Sequence, residues 1–428
     1  MGSVLLLSQI LYLLFFHSHF QPSLSSSNFS SPVQLCPADQ SLALLQFKAS
    51  FSFYPWTEEC NQPKTVLWRD GTDCCSWDGV TCNMKTGHVI GLDLGCSMLY
   101  GTLHSNSTLF FLHHLQKLDL SYNDFNGSVI SSSFGQLLHL THLNLSASNF
   151  AGQVPPEISH LSRLASLDLS ENNLMLEPIS FNKLAQNLTQ LRELYLSEVN
   201  MSLVGPRSFM NLSSSLTSLQ LQYCGLQREL PFSLRKLKQL EFLDLGYNNF
   251  IGPFPDVFAN HTRLAWLDLS GNSFQGHLPF SLGNQKQLSH LLLSGNNFTG
   301  QILNQFSNLT QLIDSKGPTA NDSFSKLKIF DLSNNSLSGP LPTEYFNNFK
   351  AMMSVDHYMD YMMATNLSTS YVYSVTMTWK GLEIEFTKIQ IALAILDLSC
   401  NKFTGKIPES LGKLKSLKQL NLSHNNLI

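Results

Sequence analysis

The sequence predicts a repeat solenoid of the α/β type, a horseshoe or superhelix with a parallel β-sheet along its concave face. One observation is the pattern L-x-x-L-x-L-x-x-N-x-L/F-x-G, clear in "LQKLDLSYNDFNG" from Leu115 and "LAWLDLSGNSFQG" from Leu264. Another is the period, because most of the twelve copies follow one another after 24 to 27 residues. A regular period of this length is the signature of stacked coils that share one continuous core.

Each L-x-L segment predicts a short strand whose leucines point into the core while the residue between them faces solvent. Copies of this strand, stacked coil upon coil, form the concave sheet. Counted at the first residue of L-x-L, the copies stand at 92, 118, 143, 167, 194, 219, 243, 267, 291, 330, 396 and 420.

The residues after each strand predict how the coil turns. The asparagine, as at Asn123, Asn248 and Asn296, is expected to turn inward and bond backbone groups that no strand partner reaches. Gly and Pro, as in "GPFP" at 252–255, allow the turn onto the convex side. Aromatic rings two positions after the asparagine are expected to stack along the interior. These rings are Phe125, Phe150, Phe250, Phe274, Phe298 and Phe403.

The amino-terminal residues predict export. Residues 1–25 indicate a secretory signal peptide, because the apolar stretch from Val4 to Phe16 is too short to span a bilayer comfortably and a Ser-rich segment follows it. Since no Lys or Arg precedes that stretch, an uncleaved anchor is the alternative.

N-x-S/T sequons agree with export. Fourteen of them occur, a density that suits a glycosylated extracellular surface. The candidate glycosylation sites are Asn106, Asn126, Asn144, Asn187, Asn211, Asn260, Asn297, Asn308, Asn366 and Asn421.

Six of the eight cysteines lie between Cys36 and Cys96. In an exported chain this cluster predicts a disulfide-stapled cap at residues 26–88 rather than a metal site, because no C-x-x-C pairs with another at zinc spacing. Cys224 stands in the asparagine position of its repeat and is expected to be buried and inert. Cys400 is expected to be a free thiol in a loop.

The step from position 330 to position 396 interrupts the period. It is 66 residues long, 42 more than a 24-residue repeat, and places an island insertion at 347–388, between repeats at 89–346 and 389–428. The first part of the insertion is rich in Met and Tyr. The second part, "YVYSVTMTWKGLEIEFTK", alternates on both sides of a Lys-Gly pair and predicts a β-hairpin. The insertion either packs against the solenoid or forms an adaptable recognition surface.

The repeat resembles the leucine-rich repeat, and the ending "FTGKIP" resembles its plant extracellular subtype. The segments "DQSLALLQFKASF" and "WRDGTDCCSWDGVTC" resemble the N-terminal cap of that family. The resemblance implies two disulfides, Cys36–Cys74 and Cys75–Cys82. A third bridge between Cys60 and Cys96 is also expected, although sequence alone does not fix connectivity.

The island and its ending K-G-L-E-I-E resemble those of plant receptor-like proteins of the disease-resistance type. Islands of that family often carry a Tyr, eight residues and then Lys-Gly, and Tyr371, Lys380 and Gly381 match this spacing. The resemblance implies a cell-surface receptor for an extracellular, pathogen-derived protein or peptide. It also implies signalling through associated receptor kinases, because the family lacks a kinase domain of its own.

Family members continue after the island with further repeats, a membrane span and a short tail. This chain stops at "LNLSHNNLI", inside a repeat, so we expect a chain truncated before those parts. The expected location is the plasma membrane for a full-length form, with the N-terminus outside, and the extracellular space if the chain is complete.

The concave face carries the candidate ligand-binding residues. Most copies place Asp between the two leucines, which we interpret as family consensus, whereas the fifth to ninth copies carry aromatic and polar residues at or beside that position. Exposed Tyr and Trp are common anchors of protein interfaces. The predicted patch contains Glu193, Tyr195, Glu198, Gln220, Gln222, Tyr223, Phe242, Tyr247, Trp266 and His290, with Tyr371, Lys380 and Gly381 of the island as further contacts.

Other functional classes fit less well. The net charge of −4 and a pI near 6.4 disfavour nucleic acid as a partner. No hydrolase elbow, zinc-protease, phosphate-loop or kinase motif occurs, so we expect no enzyme activity, cofactor or metal. Two alternatives are a secreted leucine-rich inhibitor of microbial cell-wall-degrading enzymes and a developmental co-receptor.

Overall fold

The computed structural model describes most of the solenoid and its cap. The described residues are 36–54, 60, 63–254, 257–258, 261–279, 282, 285–302, 324–354, 375–379, 382–386 and 393–428. The predicted signal peptide lies outside them, and the predicted domain boundaries stay predictions.

A long concave sheet runs through the described residues. Its thirteen strands, in spatial order, are β2 (Val80–Cys82), β3 (Val89–Asp93), β5 (Lys117–Asp119), β6 (His142–Asn144), β8 (Ser166–Asp168), β10 (Glu193–Tyr195), β11 (Ser218–Gln220), β13 (Phe242–Asp244), β15 (Trp266–Asp268), β17 (His290–Leu292), β19 (Ile329–Asp331), β23 (Ile395–Asp397) and β25 (Gln419–Asn421). All neighbours are parallel except β2 and β3. Each predicted L-x-L segment is a strand, so the predicted fold is confirmed.

The asparagine of each repeat holds the turn after the strand. Asn248 is buried, and its Nδ2 donates to the carbonyl oxygens of Leu221, Leu245 and Gly246 at 2.7, 3.1 and 3.0 Å. Its Oδ1 accepts the N–H groups of Cys224 and Leu226 in the preceding coil. The predicted role of the asparagine is therefore confirmed.

The predicted phenylalanine column fills the interior beside these asparagines. Phe125 and Phe150 stack with centroids 4.9 Å apart, and Phe274 and Phe298 with centroids 6.2 Å apart. At the asparagine position of its own coil, the buried Cys224 donates its thiol to the Leu196 carbonyl, and burial raises its pKa, which agrees with an inert thiol.

Shorter elements complete each coil. Two parallel sheets flank the concave one: β7 (Ala151–Gln153) with β9 (Asn173–Met175), and a longer sheet of β12 (Gln227–Glu229), β14 (Asn249–Pro253), β16 (Ser273–Gly276), β18 (Asn297–Gln301), β20 (Ser336–Pro340), β24 (Lys402–Gly405) and β26 (Asn426–Leu427). The convex side carries the helix α2 (Pro178–Asn187) and 3-10 turns at Thr108–Phe111, Ser132–Gln136, Pro156–His160, Pro206–Asn211, Phe232–Lys236 and Glu409–Lys413.

The N-terminal cap closes the first coil. It contains the helix α1 (Ala38–Ala49), 3-10 turns at Lys64–Leu67 and Cys74–Ser76, and β1 (Ser52–Phe53) paired antiparallel with β4 (Leu99–Tyr100). Gln40 Oε1 accepts the N–H of Val89 at 2.8 Å, which ties α1 to the first repeat strand. The three expected disulfides are present: Cys36–Cys74, Cys60–Cys96 and Cys75–Cys82.

The long step in the period leaves the concave sheet continuous. Ile329 of β19 pairs directly with Ile395 of β23. Two short helices, α3 (Thr343–Phe346) and α4 (Lys350–Met353), follow β20, and Phe349 and Met352 are fully buried in the main core. The first residues of the predicted island therefore pack with the solenoid.

The predicted hairpin of the island is confirmed. Strands β21 (Val375–Trp379) and β22 (Leu382–Phe386) form an antiparallel pair of their own, with Trp379 opposite Leu382. The remaining island residues, including the predicted contacts Tyr371, Lys380 and Gly381, lie outside the described residues.

Candidate ligand-binding face

A column of left-handed residues borders the concave sheet. In every coil the residue three positions after the strand, directly before the asparagine position, has a positive φ. The column consists of Cys96, Tyr122, Ala147, Glu171, Glu198, Tyr223, Tyr247, Gly271, Gly295, Asn334, Cys400 and His424. A left-handed residue other than glycine costs roughly 1–2 kcal/mol, so the turn into the asparagine position imposes this conformation. Sequence reasoning missed the column, although the residue before each asparagine marks it.

Three residues of the predicted patch lie in this column, and they form its accessible part. The rings of Tyr223 and Tyr247 stack across neighbouring coils, with centroids 4.5 Å apart and planes 17° apart. Tyr223 is 49% exposed, Glu198 is exposed in the preceding coil, and Gln222 is partly exposed beside them. Tyr247 is partly exposed, so the accessible part of the patch is a stacked aromatic pair with the carboxylate of Glu198 on one side.

Gly271 makes room for this pair. It follows Tyr247 in the column with φ +60°, and a Cβ built on it would lie 2.6 Å from Cδ1 of Tyr247. Any larger residue at position 271 would push the Tyr247 ring away. The absence of a Cβ at Gly271 therefore allows the Tyr247 ring to occupy its position in the pair.

The other predicted contacts are buried, which corrects the expectation that they face solvent. Tyr195 and Trp266 are only 2% and 3% exposed, and the remaining buried members are Glu193, Gln220, Phe242 and His290. Phe242 stacks on Trp266 at 5.2 Å, and Trp266 stacks on His290 at 4.4 Å. With Leu292, Ile329 and Ile395 two of these rings form a second apolar cluster. Large side chains on strands about 4.8 Å apart cover one another.

The repeated aspartates of the concave strands are structural. Asp244 and Asp268 are register partners, and their Oδ1 atoms accept the N–H groups of Gly246 and Ser270 at 2.9 and 2.8 Å. Burial, and then the charge of Asp268, raises the pKa of Asp244. Burial likewise raises the pKa of Asp268 to about 6. These carboxyl groups therefore cap backbone turns.

Two candidate glycosylation sites stand where other repeats carry Asp. Nδ2 of Asn144 donates to Asp119 Oδ2 at 3.3 Å, and Nδ2 of Asn421 donates to Asp397 Oδ2 at 3.0 Å. The exposed candidates are Asn106, Asn126, Asn187, Asn211 and Asn297, whereas Asn260, Asn308 and Asn366 lie outside the described residues. A glycan on Asn144 or Asn421 would thus have to replace a contact within the concave face.

Cysteine sulfurs make the one metal-compatible cluster of the described region. It consists of Cys36, Cys74 and Cys75, and disulfides occupy all three sulfur atoms. Among the same residues, no helix is long and apolar enough to cross a bilayer. Cys400 is free and exposed, as expected.

Comparison with known families identifies the class. The family described as "Leucine rich repeat N-terminal domain" matches residues 37–83. Leucine-rich-repeat families match residues 111–128, 139–161, 214–274, 287–309, 326–348 and 386–427. Together with the N-terminal match, these segments span more than half of the chain. The chain belongs to the leucine-rich-repeat family.

The curated proteins to which this chain is similar include plant receptor-like proteins. Receptor-like protein 9DC1 of Solanum pimpinellifolium is 46% identical over an alignment of 260 residues, and the alignment covers 58% of this chain and 29% of the relative. Receptor-like protein Cf-9 of the same species is 43% identical over an alignment of 231 residues, which covers 51% of this chain and 26% of the relative. The matched region is thus less than a third of the length of these relatives.

Solved receptor structures share the fold. One is described as the plant peptide hormone receptor RGFR1 in complex with RGF2, with 24% identity and a TM-score of 0.58 over 82% of this chain and 49% of that one. Another, described as PEPR1-AtPEP1, has 25% identity and a TM-score of 0.53 over 90% of this chain and 52% of that one. The predicted horseshoe with a cysteine cap is therefore the fold of plant receptor ectodomains.

Proposed function

We propose that this chain is the extracellular ligand-recognition region of a receptor-like protein. Its ligand is a pathogen-derived protein or peptide, and its output in plant immunity passes through an associated receptor kinase. The observation that carries the proposal is the stacked pair of Tyr223, which is exposed, and Tyr247, which is partly exposed, in the left-handed column at the edge of the concave sheet. Receptor-like relatives and the peptide-bound receptor folds support the same class of function.

The buried residues of the patch support the concave face, and its accessible residues contact the ligand. Phe242, Trp266 and His290 form a stacked row whose positions are fixed by neighbouring strands, so they stiffen the face. Burial, and then the charge of Lys328, lowers the pKa of His290 to about 3, which keeps this ring neutral. Tyr223 and Tyr247 contact the ligand directly, because a tyrosine can bury a large ring at an interface and still offer a hydroxyl group for hydrogen bonding.

A substitution series tests this assignment. The purified chain is screened by biolayer interferometry against secreted microbial proteins, and each binder is measured again with Tyr223→Ala/Tyr247→Ala. We expect at least about tenfold weaker binding, because truncating an interface anchor costs roughly 2 kcal/mol or more. The matched control is Tyr122→Ala, which removes an exposed tyrosine from the same left-handed column outside the patch.

The control variant distinguishes loss of a ligand contact from a general change in the geometry of the left-handed column. Binding that falls equally in Tyr122→Ala and in the double variant would assign the effect to the column geometry rather than to the patch. Binding that survives the double variant would remove the tyrosine pair from the ligand contact.

A further inference from the structure

A ladder of histidines crosses the first coils on the opposite border of the concave sheet. His88, His114, His139 and Arg163 each stand three residues before a register-matched strand position, namely Gly91, Lys117, His142 and Ser166. They therefore occupy the same place in four successive coils. The tyrosine column follows the strands, whereas this ladder precedes them, so it is a separate surface and does not depend on the function proposed above.

The side chains of the ladder are in contact with one another. The rings of His88 and His114 stack with centroids 4.0 Å apart, and those of His114 and His139 with centroids 6.2 Å apart. Arg163 Nη1 donates to His139 Nδ1 at 3.1 Å, and Gln40 Nε2 lies 2.7 Å from His88 Nδ1. Stacked rings hide their faces and turn their edges outward, so the row presents N–H groups.

The ladder is accessible and positively charged when protonated. His114, His139 and Arg163 are exposed, His88 is half-buried, and His113 adds a further exposed ring next to His114. Burial, and then the charges of His88, His139 and His113, lowers the pKa of His114. The neighbours named here are all of one sign, so protonating the row creates repulsion that an anion would relieve.

The spacing of the rings in the ladder favours an anion whose charges lie along an extended polypeptide. Side chains on one face of an extended polypeptide recur every two residues, at roughly 6.6–6.8 Å. The 6.2 Å between the His114 and His139 rings is close to that spacing. Carboxylates at alternate residues can then meet His114 and His139. The rings of His88 and His114 are only 4.0 Å apart and therefore face the same carboxylate, and the planar fork of Arg163 can bind one carboxylate at the end.

We propose that the ladder of His88, His114, His139 and Arg163 binds an extended acidic segment of a partner protein, and binds it more tightly at acidic pH. The sign follows from linkage. Carboxylates stabilise the protonated imidazoles, so binding takes up protons and strengthens as the pH falls through the histidine range.

Calorimetry with a synthetic peptide tests the proposal. The probe has about ten residues of alternating Glu and Ser, which places its carboxylates on one face when extended. We expect at least about tenfold tighter binding at about pH 5 than at about pH 7.5, with proton uptake seen as a buffer-dependent heat. His114→Gln/His139→Gln should lose most of this pH dependence and keep its unfolding temperature, because both side chains are exposed.

Controls separate the ladder from general charge. His160→Gln/His424→Gln removes two exposed histidines outside the ladder and should bind like the parent chain. Full pH dependence in His114→Gln/His139→Gln would overturn the proposal. So would equal affinity for a peptide of the same composition with its Glu residues in one block, or binding of heparin without binding of the alternating peptide.

Discussion

Replacing Asn248 with alanine isolates what the asparagine of one repeat contributes to the solenoid. The side chain is buried and makes five hydrogen bonds, three from Nδ2 to carbonyl oxygens and two from backbone N–H groups to Oδ1. Alanine removes all five. The N–H groups of Cys224 and Leu226 are buried in the preceding coil, where water does not reach to replace the lost acceptor.

The magnitude follows from those two N–H groups. A buried donor left without its partner costs roughly 1–3 kcal/mol. Two such donors therefore predict a loss of about 2–6 kcal/mol, and local relaxation brings the expected value to about 3 kcal/mol. The three carbonyl oxygens add less, because an under-satisfied carbonyl is tolerated better than an unpaired N–H.

Guanidinium unfolding of the oxidised chain, followed by circular dichroism, measures the loss, and hydrogen exchange locates it. The amides of Cys224 and Leu226 should exchange faster in Asn248→Ala than in the parent chain. The matched control is Asn249→Ala, whose side chain is exposed in the next position and should change the stability by less than about 0.5 kcal/mol. A loss below about 1 kcal/mol for Asn248→Ala, or unchanged exchange at both amides, would refute the reasoning.

Asp331→Asn should make the chain more stable above about pH 7 and flatten its pH dependence. Burial raises the Asp331 pKa to about 7 in the folded state, whereas the pKa is about 3.9 in the unfolded chain. The free energy of unfolding of the parent chain therefore falls as the pH rises between these two values. Denaturant unfolding of both chains at about pH 5 and about pH 8 measures this difference. Gly271→Ala should displace the Tyr247 ring and so weaken ligand binding, which interferometry measures. Gly276→Ala is the control, because Gly276 also has a positive φ but has open space where a Cβ would lie, and it should leave binding unchanged.

Much of the fold follows from local pattern. Leu219 and Leu243 are 24 residues apart and face each other in register, because a leucine that recurs at this period can be buried only if successive coils stack. The hairpin pairing of Trp379 with Leu382 follows equally from alternation around a two-residue turn. The predicted ligand contacts Tyr371, Lys380 and Gly381 lie outside the described residues, so the role of the hairpin in ligand binding stays a prediction.

The sequence by itself determined the coils, the inward asparagines, the phenylalanine column and the cap, because each depends on residues that repeat at fixed positions. Only the tertiary structure decided which concave side chains reach solvent. Trp266 is buried because Phe242 and His290 cover its ring from neighbouring coils, whereas Tyr223 is exposed one column away. Exposure on a sheet depends on what the next strand, about 4.8 Å away, carries at the same register, and a single repeat does not contain that information.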